Sequence, residues 1–96
     1  MDKVLEEVKK ERLAQHNKWG EQNHHNGTSS DRFKELANCH RDITDVSTQD
    51  GTLTWLHILR EEVYEAFAEE DPQKLREELV QIAAVAVAWI EAIDRR

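Results

Sequence analysis

Apolar side chains recur at helical spacing over the second half of the chain, and no segment alternates apolar and polar residues as a strand would. Between residues 52 and 70 the apolar positions lie three and four apart, and Thr52 or Thr54 can cap a helix there. These positions are Trp55, Leu56, Leu59, Val63, Ala66 and Phe67. Asp71 and Pro72 favour a helix end followed by a new start, because Asp is a good N-cap and Pro is tolerated in a first turn. The pattern therefore predicts two consecutive helices joined by a short turn.

The second of these helices, from Pro72 or Gln73 to about Asp94, carries apolar residues on almost every side. One stripe consists of Leu75, Leu79, Ile82, Ala86, Trp89 and Ile93, and further apolar residues are Val80, Ala84, Val87 and Ala88. A helix that is apolar nearly all round must be covered on most of its surface, which one short chain achieves with difficulty. Helices joined by so short a turn pack antiparallel. We therefore expect a helical hairpin whose second helix lies near the interface of a homodimer or homotetramer.

The N-terminal half has weaker patterns. Met1–Lys18 is rich in good helix formers and has a narrow apolar face, which predicts a helix. Residues 21–30 are polar and predict a loop, and Asp31–His40 predicts a short helix with Ser30 as its N-cap. Residues 41–51 are expected to be irregular. Together the elements predict an all-α fold: a helical hairpin plus an N-terminal helix, assembling into a dimer or tetramer of the four-helix-bundle type.

Length and charge narrow the function classes. The chain has 96 residues, which suits a single domain over residues 1–96. Its net charge of −7 repels a phosphate backbone and argues against nucleic acid as a partner. The most apolar run, residues 79–90, is shorter than the roughly 20 residues that span a bilayer, so no membrane partner is expected. No apolar segment opens the chain, so no secretory signal is expected.

The chain has one cysteine, Cys39, so it cannot form an internal disulfide. This favours a reducing, cytoplasmic location. Cys39 is expected to be a small buried residue rather than a nucleophile.

Four side chains of the predicted hairpin carry candidate chemistry. Glu62 and Glu65 lie three apart on its first helix, as Glu78 and Gln81 do on its second, so each pair projects from one helix face. An antiparallel hairpin can bring the two pairs together, and carboxylates so close repel unless a cation neutralises them. Mg²⁺ prefers such oxygen ligands. Spacing alone favours a solvated acidic face, but carboxylates beside apolar positions such as Val63 are costly without a partner or a metal.

The segments over residues 59–71 and 75–81 resemble the signature of the MazG-like all-α nucleoside triphosphate pyrophosphohydrolases. That signature is ExxE, a short connection and then ExxD. Glu62-Val-Tyr-Glu65 matches its first half, and Glu78-Leu-Val-Gln81 matches its second half with Gln in place of the usual Asp. Lys18–His24 is similar to a stretch found in small members of the same group.

The resemblance implies a helical enzyme with a four-helix arrangement that uses Mg²⁺, or alternatively Mn²⁺. Its substrate would be a nucleoside or deoxynucleoside triphosphate, hydrolysed to the monophosphate and pyrophosphate. Carried onto this chain, the metal ligands would be Glu62, Glu65, Glu78 and Gln81. Glu62 or Glu65 would also act as the catalytic general base towards the attacking water.

Gln81 supports an alternative, since an amide oxygen can bind a metal but carries no charge and cannot act as a base. Under this interpretation the chain is a non-catalytic nucleotide-binding or protein-interaction helical module. A third interpretation is a structural bundle with a solvated acidic face.

Residues for substrate binding are less clearly indicated. Trp19 lies at a helix end beside polar residues and is the best candidate to stack on a base. Three cationic side chains can reach phosphate oxygens, although each is more often a surface charge: Lys18, Arg12 and Arg41. His24 is a candidate hydrogen-bond donor to the nucleotide, although histidines in polar loops are usually only exposed.

Overall fold

A computed structural model describes residues 1–96 and is entirely helical, without strands. The helices are α1 (Asp2–Trp19), α2 (Asp31–Asp50), α3 (Trp55–Ala68) and α4 (Pro72–Asp94). None of them combines the length and apolar character that crossing a bilayer requires. The all-α fold class is confirmed, and α1, α3 and α4 lie close to their predicted bounds.

α2 is twice as long as predicted. The prediction that residues 41–51 are irregular is wrong. The helix continues past His40 to Asp50, and it closes at Gly51, whose φ of 73° is the left-handed conformation that commonly ends helices. A side chain at that position would be strained, so Gly51 acts as the stop signal of α2.

The second half of α2 was missed because its inward face is polar. Thr44 and Ser47 are buried, yet neither adds to a hydrophobic pattern. The Thr44 hydroxyl donates a hydrogen bond to the His57 carbonyl oxygen of α3 at 3.3 Å. Thr44 thus makes a tertiary contact with small volume and satisfied polarity, which overrides its modest helix propensity.

α2 and α3 pack against each other in antiparallel directions. Phe33 near the start of α2 contacts Phe67 near the end of α3, with ring centroids 5.2 Å apart. Ala37 and Ala66 are the most deeply buried residues of the two helices. Alanine is small, so its presence at these positions lets the backbones of α2 and α3 come close together. The close packing fixes how the two helices are aligned, and hence which α2 side chains lie near the end of α3.

The end of α3 is closed by the segment that precedes α2. The Thr28 hydroxyl donates to the carbonyl oxygen of Glu69, and the backbone N–H of Ser29 donates to that of Phe67, both at 2.8 Å. These bonds satisfy carbonyl groups that a helix end leaves without intrahelical partners. Ser29 adopts a positive φ of 75° to make this contact, which anchors the start of α2 beside the end of α3.

Three residues connect α3 to α4, and their own side chains hold the turn. A Glu69 carboxylate oxygen accepts the backbone N–H groups of Glu70 and Asp71, each at 3.1 Å. The Asp71 carboxylate accepts the N–H of Gln73 at 3.1 Å, which confirms Asp71 as the predicted cap before Pro72. At the other end of α3, Thr54 is the cap.

The chain forms two compact units. One comprises residues 1–26 and 87–96, and the other comprises residues 27–86. In the first unit the Met1 amino group pairs with Glu91 at 2.7 Å, and this hydrogen bond raises the pKa of the amino group. The second unit contains α2, α3 and the first part of α4. The single domain inferred from the sequence stays a prediction.

Much of the apolar surface is uncovered in the single chain. The buried apolar residues are Val4, Ala37, Ala66 and Leu75, and no large side chain is fully buried. Leu56, Phe67 and Leu79 belong to the predicted apolar stripes, yet their exposed fractions are 56, 40 and 52%. Cys39 is exposed, so the expectation that it is buried is wrong.

The N-cap of α2 provides a stability test. The Ser30 hydroxyl oxygen accepts the backbone N–H of Phe33 at 3.2 Å. Ser30→Ala removes this acceptor, and we expect the free energy of unfolding to fall by about 1 kcal/mol in urea titrations followed by circular dichroism. Ser30→Asp retains a capping acceptor and should stay close to the wild type. Equal stability of the alanine variant and the wild type would contradict the assigned cap.

Candidate functional site

Three carboxylates from two helices converge on one point. Oxygen atoms of Glu62 and Glu65 on α3 and of Glu78 on α4 all lie within 4.8 Å of one another. We refer to these residues as the carboxylate cluster. Glu62 precedes the last residue of α3 by six positions and Glu78 follows the first residue of α4 by six, so the short connection brings them level. The convergence expected for these three residues is therefore present.

The cluster is electrostatically unfavourable in the absence of a cation. Partial burial raises the pKa of Glu62, and the neighbouring charges of Glu65, Glu78 and Glu61 raise it further. Burial also raises the pKa of Glu78, with added repulsion from Glu65, Glu69 and Glu77 and a smaller opposing effect of Arg41. Both groups are thus harder to ionise than ordinary glutamates.

Two oxygen atoms of the cluster are buried without a hydrogen-bond partner. They are the Oε2 atoms of Glu62 and Glu78. Buried polar atoms are nearly always paired in folded proteins, so unpaired oxygens on two of the three converging carboxylates fit a site that accepts a positive group. Pairs of oxygen ligands around an octahedral Mg²⁺ lie about 3 to 4.2 Å apart. Oxygen atoms that all lie within 4.8 Å of one another can therefore reach one ion with a small shift.

The remaining predicted ligand is placed differently. Gln81 lies three residues beyond Glu78 on α4 and its side chain is exposed. It occupies the next turn of the same helix, and its role as a metal ligand stays a prediction. Glu61 also has a raised pKa, owing to burial and to its neighbours Glu65 and Asp45.

A cavity of about 290 Å³ adjoins the cluster within the second unit. It is lined by Lys34, Ala37, Asn38, Arg41, Glu65, Ala68, Glu69 and Glu78. The Arg41 guanidinium Nε lies 3.5 Å from a carboxylate oxygen of Glu65. The cavity thus has two cluster carboxylates on one side and cationic or amide side chains of α2 on the other.

Lys34 and Asn38 were missed by the sequence analysis. With Arg41 they occupy positions i, i+4 and i+7 on one face of α2. That periodicity was hidden because the predicted helix ended at His40, one residue before Arg41. A continuous helix through residue 50 would have placed all three on the same face.

The other predicted substrate-binding residues lie in the first unit. Lys18 Nζ lies 4.9 Å from the centroid of the Trp19 ring, a cation–π contact, and both residues line a cavity of about 390 Å³. Trp19 is 60% exposed and His24 is exposed. The structure therefore brings Lys18 and Trp19 together, and nucleotide binding by them and by His24 stays a prediction.

A stacked pair of rings joins α2 to α3. The His40 and Tyr64 rings are 4.6 Å apart and almost parallel. Burial lowers the pKa of His40, and the charge of Arg60 lowers it further. The His40 ring therefore packs on Tyr64 of α3 and is harder to protonate than an ordinary histidine. It directly precedes Arg41 on α2.

Comparison of the chain with models of protein families, with curated proteins and with solved structures finds no match.

The electrostatics of the cluster give a stability prediction for Glu62→Gln in the presence of chelator. Because the folded-state pKa of Glu62 is raised, the wild type loses stability as pH rises through the unfolded-state and then the folded-state pKa. The neutral variant avoids this loss, so we expect it to unfold at a higher urea concentration at neutral pH. The difference should vanish at acid pH, where the wild-type carboxyl is protonated.

Glu35→Gln is the matched control, since Glu35 is an exposed glutamate of α2 outside the cluster. It should leave the urea midpoint almost unchanged at both pH values. A Glu62→Gln variant that is less stable than the wild type at neutral pH in chelator would contradict the repulsion described here.

Proposed function

We propose that this protein is a Mg²⁺-dependent nucleoside triphosphate pyrophosphohydrolase of the MazG-like type. The observation that carries the proposal is the convergence of Glu62, Glu65 and Glu78 within 4.8 Å, with unpaired buried oxygens on two of them. Such a cluster is destabilising on its own, and a divalent cation would offset the repulsion. The sequence resemblance adds the reaction class, because the three glutamates occupy the positions of the ExxE and ExxD signature.

The ion would be held by the three cluster carboxylates, with Gln81 as a neutral fourth ligand. Mg²⁺ suits them because it prefers oxygen ligands and retains coordination sites for phosphate. When bound, the ion supplies charge neutralisation for the phosphate oxygens.

Glu62 is the stronger candidate for the general base. Its Oε2 atom has no hydrogen-bond partner, whereas a carboxylate oxygen of Glu65 lies 3.5 Å from Arg41 Nε. A carboxylate oxygen that no protein donor occupies can accept a proton from water. The water oxygen would attack the α-phosphorus in line, and the bond to the bridging oxygen of the leaving pyrophosphate would break.

Gln81 supports a second candidate function, a nucleotide-binding or interaction module without catalysis. The side chain is neutral where the signature has an aspartate, so the site has one negative charge fewer. A weaker metal site can retain nucleotide binding while turnover is lost.

We also propose that the protein assembles into a homodimer or homotetramer through α4. The exposed apolar residues of α4 include Leu79, Val80, Ile90 and Ile93, with exposed fractions of 52, 57, 38 and 50%. Their association with a second copy would remove this surface from water, which is the dominant favourable contribution to protein association.

The activity is tested by pyrophosphate release from a panel of nucleoside and deoxynucleoside triphosphates. We expect release with Mg²⁺ that chelator abolishes. Glu62→Gln should reduce kcat by about 100-fold or more, because it removes both a ligand and the proposed base. Gln81→Asp restores the signature and should increase Mg²⁺ affinity.

Glu35→Gln serves as the control and should retain wild-type turnover. Metal-dependent nucleotide binding without pyrophosphate release from any triphosphate would favour the non-catalytic module. Absence of Mg²⁺ and Mn²⁺ binding in the wild type would overturn both functions.

The assembly is tested by sedimentation equilibrium of Val80→Glu. We expect the wild type to be dimeric or tetrameric, and the variant to dissociate at least about tenfold more readily, because it places a charge in an apolar interface. Lys74→Glu changes the charge of an exposed residue on the same helix and should associate as the wild type does. A monomeric wild type at high concentration would contradict the proposed assembly.

A further inference from the structure

One face of α2 lies across the cavity from the carboxylate cluster. We call Lys34, Asn38 and Arg41 the α2 stripe, since they follow one another at i, i+4 and i+7 and all line the cavity. Lys34 and Arg41 are about 10 Å apart along the helix axis. The stripe therefore runs from the connection between α3 and α4 towards Glu65.

The stripe is partly engaged with acidic side chains and remains accessible to a ligand. Arg41 Nη1 donates to the Asn38 side-chain oxygen at 3.2 Å, and Arg41 Nε pairs with Glu65. Lys34 Nζ pairs with Glu70 at 3.3 Å. The Arg41 and Lys34 side chains are 48 and 45% exposed, and ion pairs of this exposure contribute little stability.

Charge balance determines when an anion can enter this cavity. Lys34 and Arg41 face three lining carboxylates, those of Glu65, Glu69 and Glu78, so the lining is net negative. Glu62 adds a further negative charge behind it. With Glu62 counted, four carboxylates face two cationic side chains, so an anion is repelled. A divalent cation at the carboxylate cluster would cancel this net charge of −2 and leave Lys34 and Arg41 available to phosphate oxygens.

We propose that the α2 stripe is the subsite for the polyphosphate of the nucleotide, with Arg41 as its main anchor, and that it accepts phosphate only after the metal has bound. The inference rests on the proposed function, because it requires a cation at the carboxylate cluster. A guanidinium presents five N–H donors in a planar fork that matches phosphate oxygens. In Arg41, Nε and Nη1 contact protein acceptors, and the side chain lines the cavity, so a ligand there can compete for or add to these contacts.

The test uses Mn²⁺ and inorganic pyrophosphate, which separate the two sites without requiring turnover. Mn²⁺ binding is measured by electron paramagnetic resonance. Pyrophosphate binding is measured by titrating Mn²⁺-pyrophosphate into Mn²⁺-loaded protein in a calorimeter. The wild type should bind pyrophosphate with Mn²⁺ and not in chelator.

Arg41→Gln should weaken pyrophosphate binding by about tenfold or more, the effect of losing a hydrogen bond to a charged group. Its Mn²⁺ affinity should be equal to or higher than that of the wild type, since a positive charge beside Glu65 has been removed. Arg41→Lys should be intermediate, because it retains the charge without the fork. Arg32→Gln removes an exposed arginine of α2 outside the cavity and should match the wild type.

Three results would overturn the inference in distinguishable ways. Unchanged pyrophosphate affinity in Arg41→Gln would show that the stripe is only paired with carboxylates, while the proposed function stands. An equal loss in Arg32→Gln would show unspecific attraction to the surface of α2. A wild type that binds no Mn²⁺ would remove the inference together with the proposed function.

Discussion

The three-residue connection between α3 and α4 constrains the three carboxylates of the candidate site. The carboxylates of Glu69 and Asp71 accept hydrogen bonds from backbone N–H groups of the turn, so α4 starts at a defined place. From that place, the lateral alignment of Glu62 and Glu78 follows from helix geometry alone. A longer or unpaired connection would let the two helices slide, and the carboxylates would then separate to relieve their repulsion.

The repulsion among these carboxylates needs structural support from elsewhere in the second unit. The close packing of Ala37 and Ala66 between α2 and α3 provides part of it, together with the closure of the α3 end by Thr28 and Ser29. Local arrangements that reduce stability tend to persist where they serve a function. The same packing places Arg41 beside Glu65, so the feature that holds the cluster also supplies its nearest positive charge.

The sequence pattern predicted the parts of this protein that depend on strong local signals. Ser30, Thr54 and Asp71 cap helices as expected, and the spacing of Glu62, Glu65 and Glu78 predicted their convergence. The second half of α2 was not predictable in the same way, because Thr44 and Ser47 are buried without being apolar. The periodicity of apolar residues placed Leu79 on the packed face of its helix, yet it is exposed in the single chain. Periodicity identifies an apolar face but does not identify the surface that covers it.

Under the proposed function, Gln81 and Arg41 together limit the number of divalent cations that the site would hold. Three ionised carboxylates beside one guanidinium give a charge of −2, which one divalent cation balances. An aspartate in place of Gln81 would leave an additional negative charge and favour a second cation. With glutamine there, excess positive charge for phosphate has to come from the protein, and the α2 stripe is the cationic surface that the cavity offers. The neutral side chain of Gln81 on α4 and the positive charges of the α2 stripe are therefore linked through the net charge of the site. Because Gln81 lacks the negative charge that would favour a second cation, an anionic ligand depends more on the positive charge of Arg41.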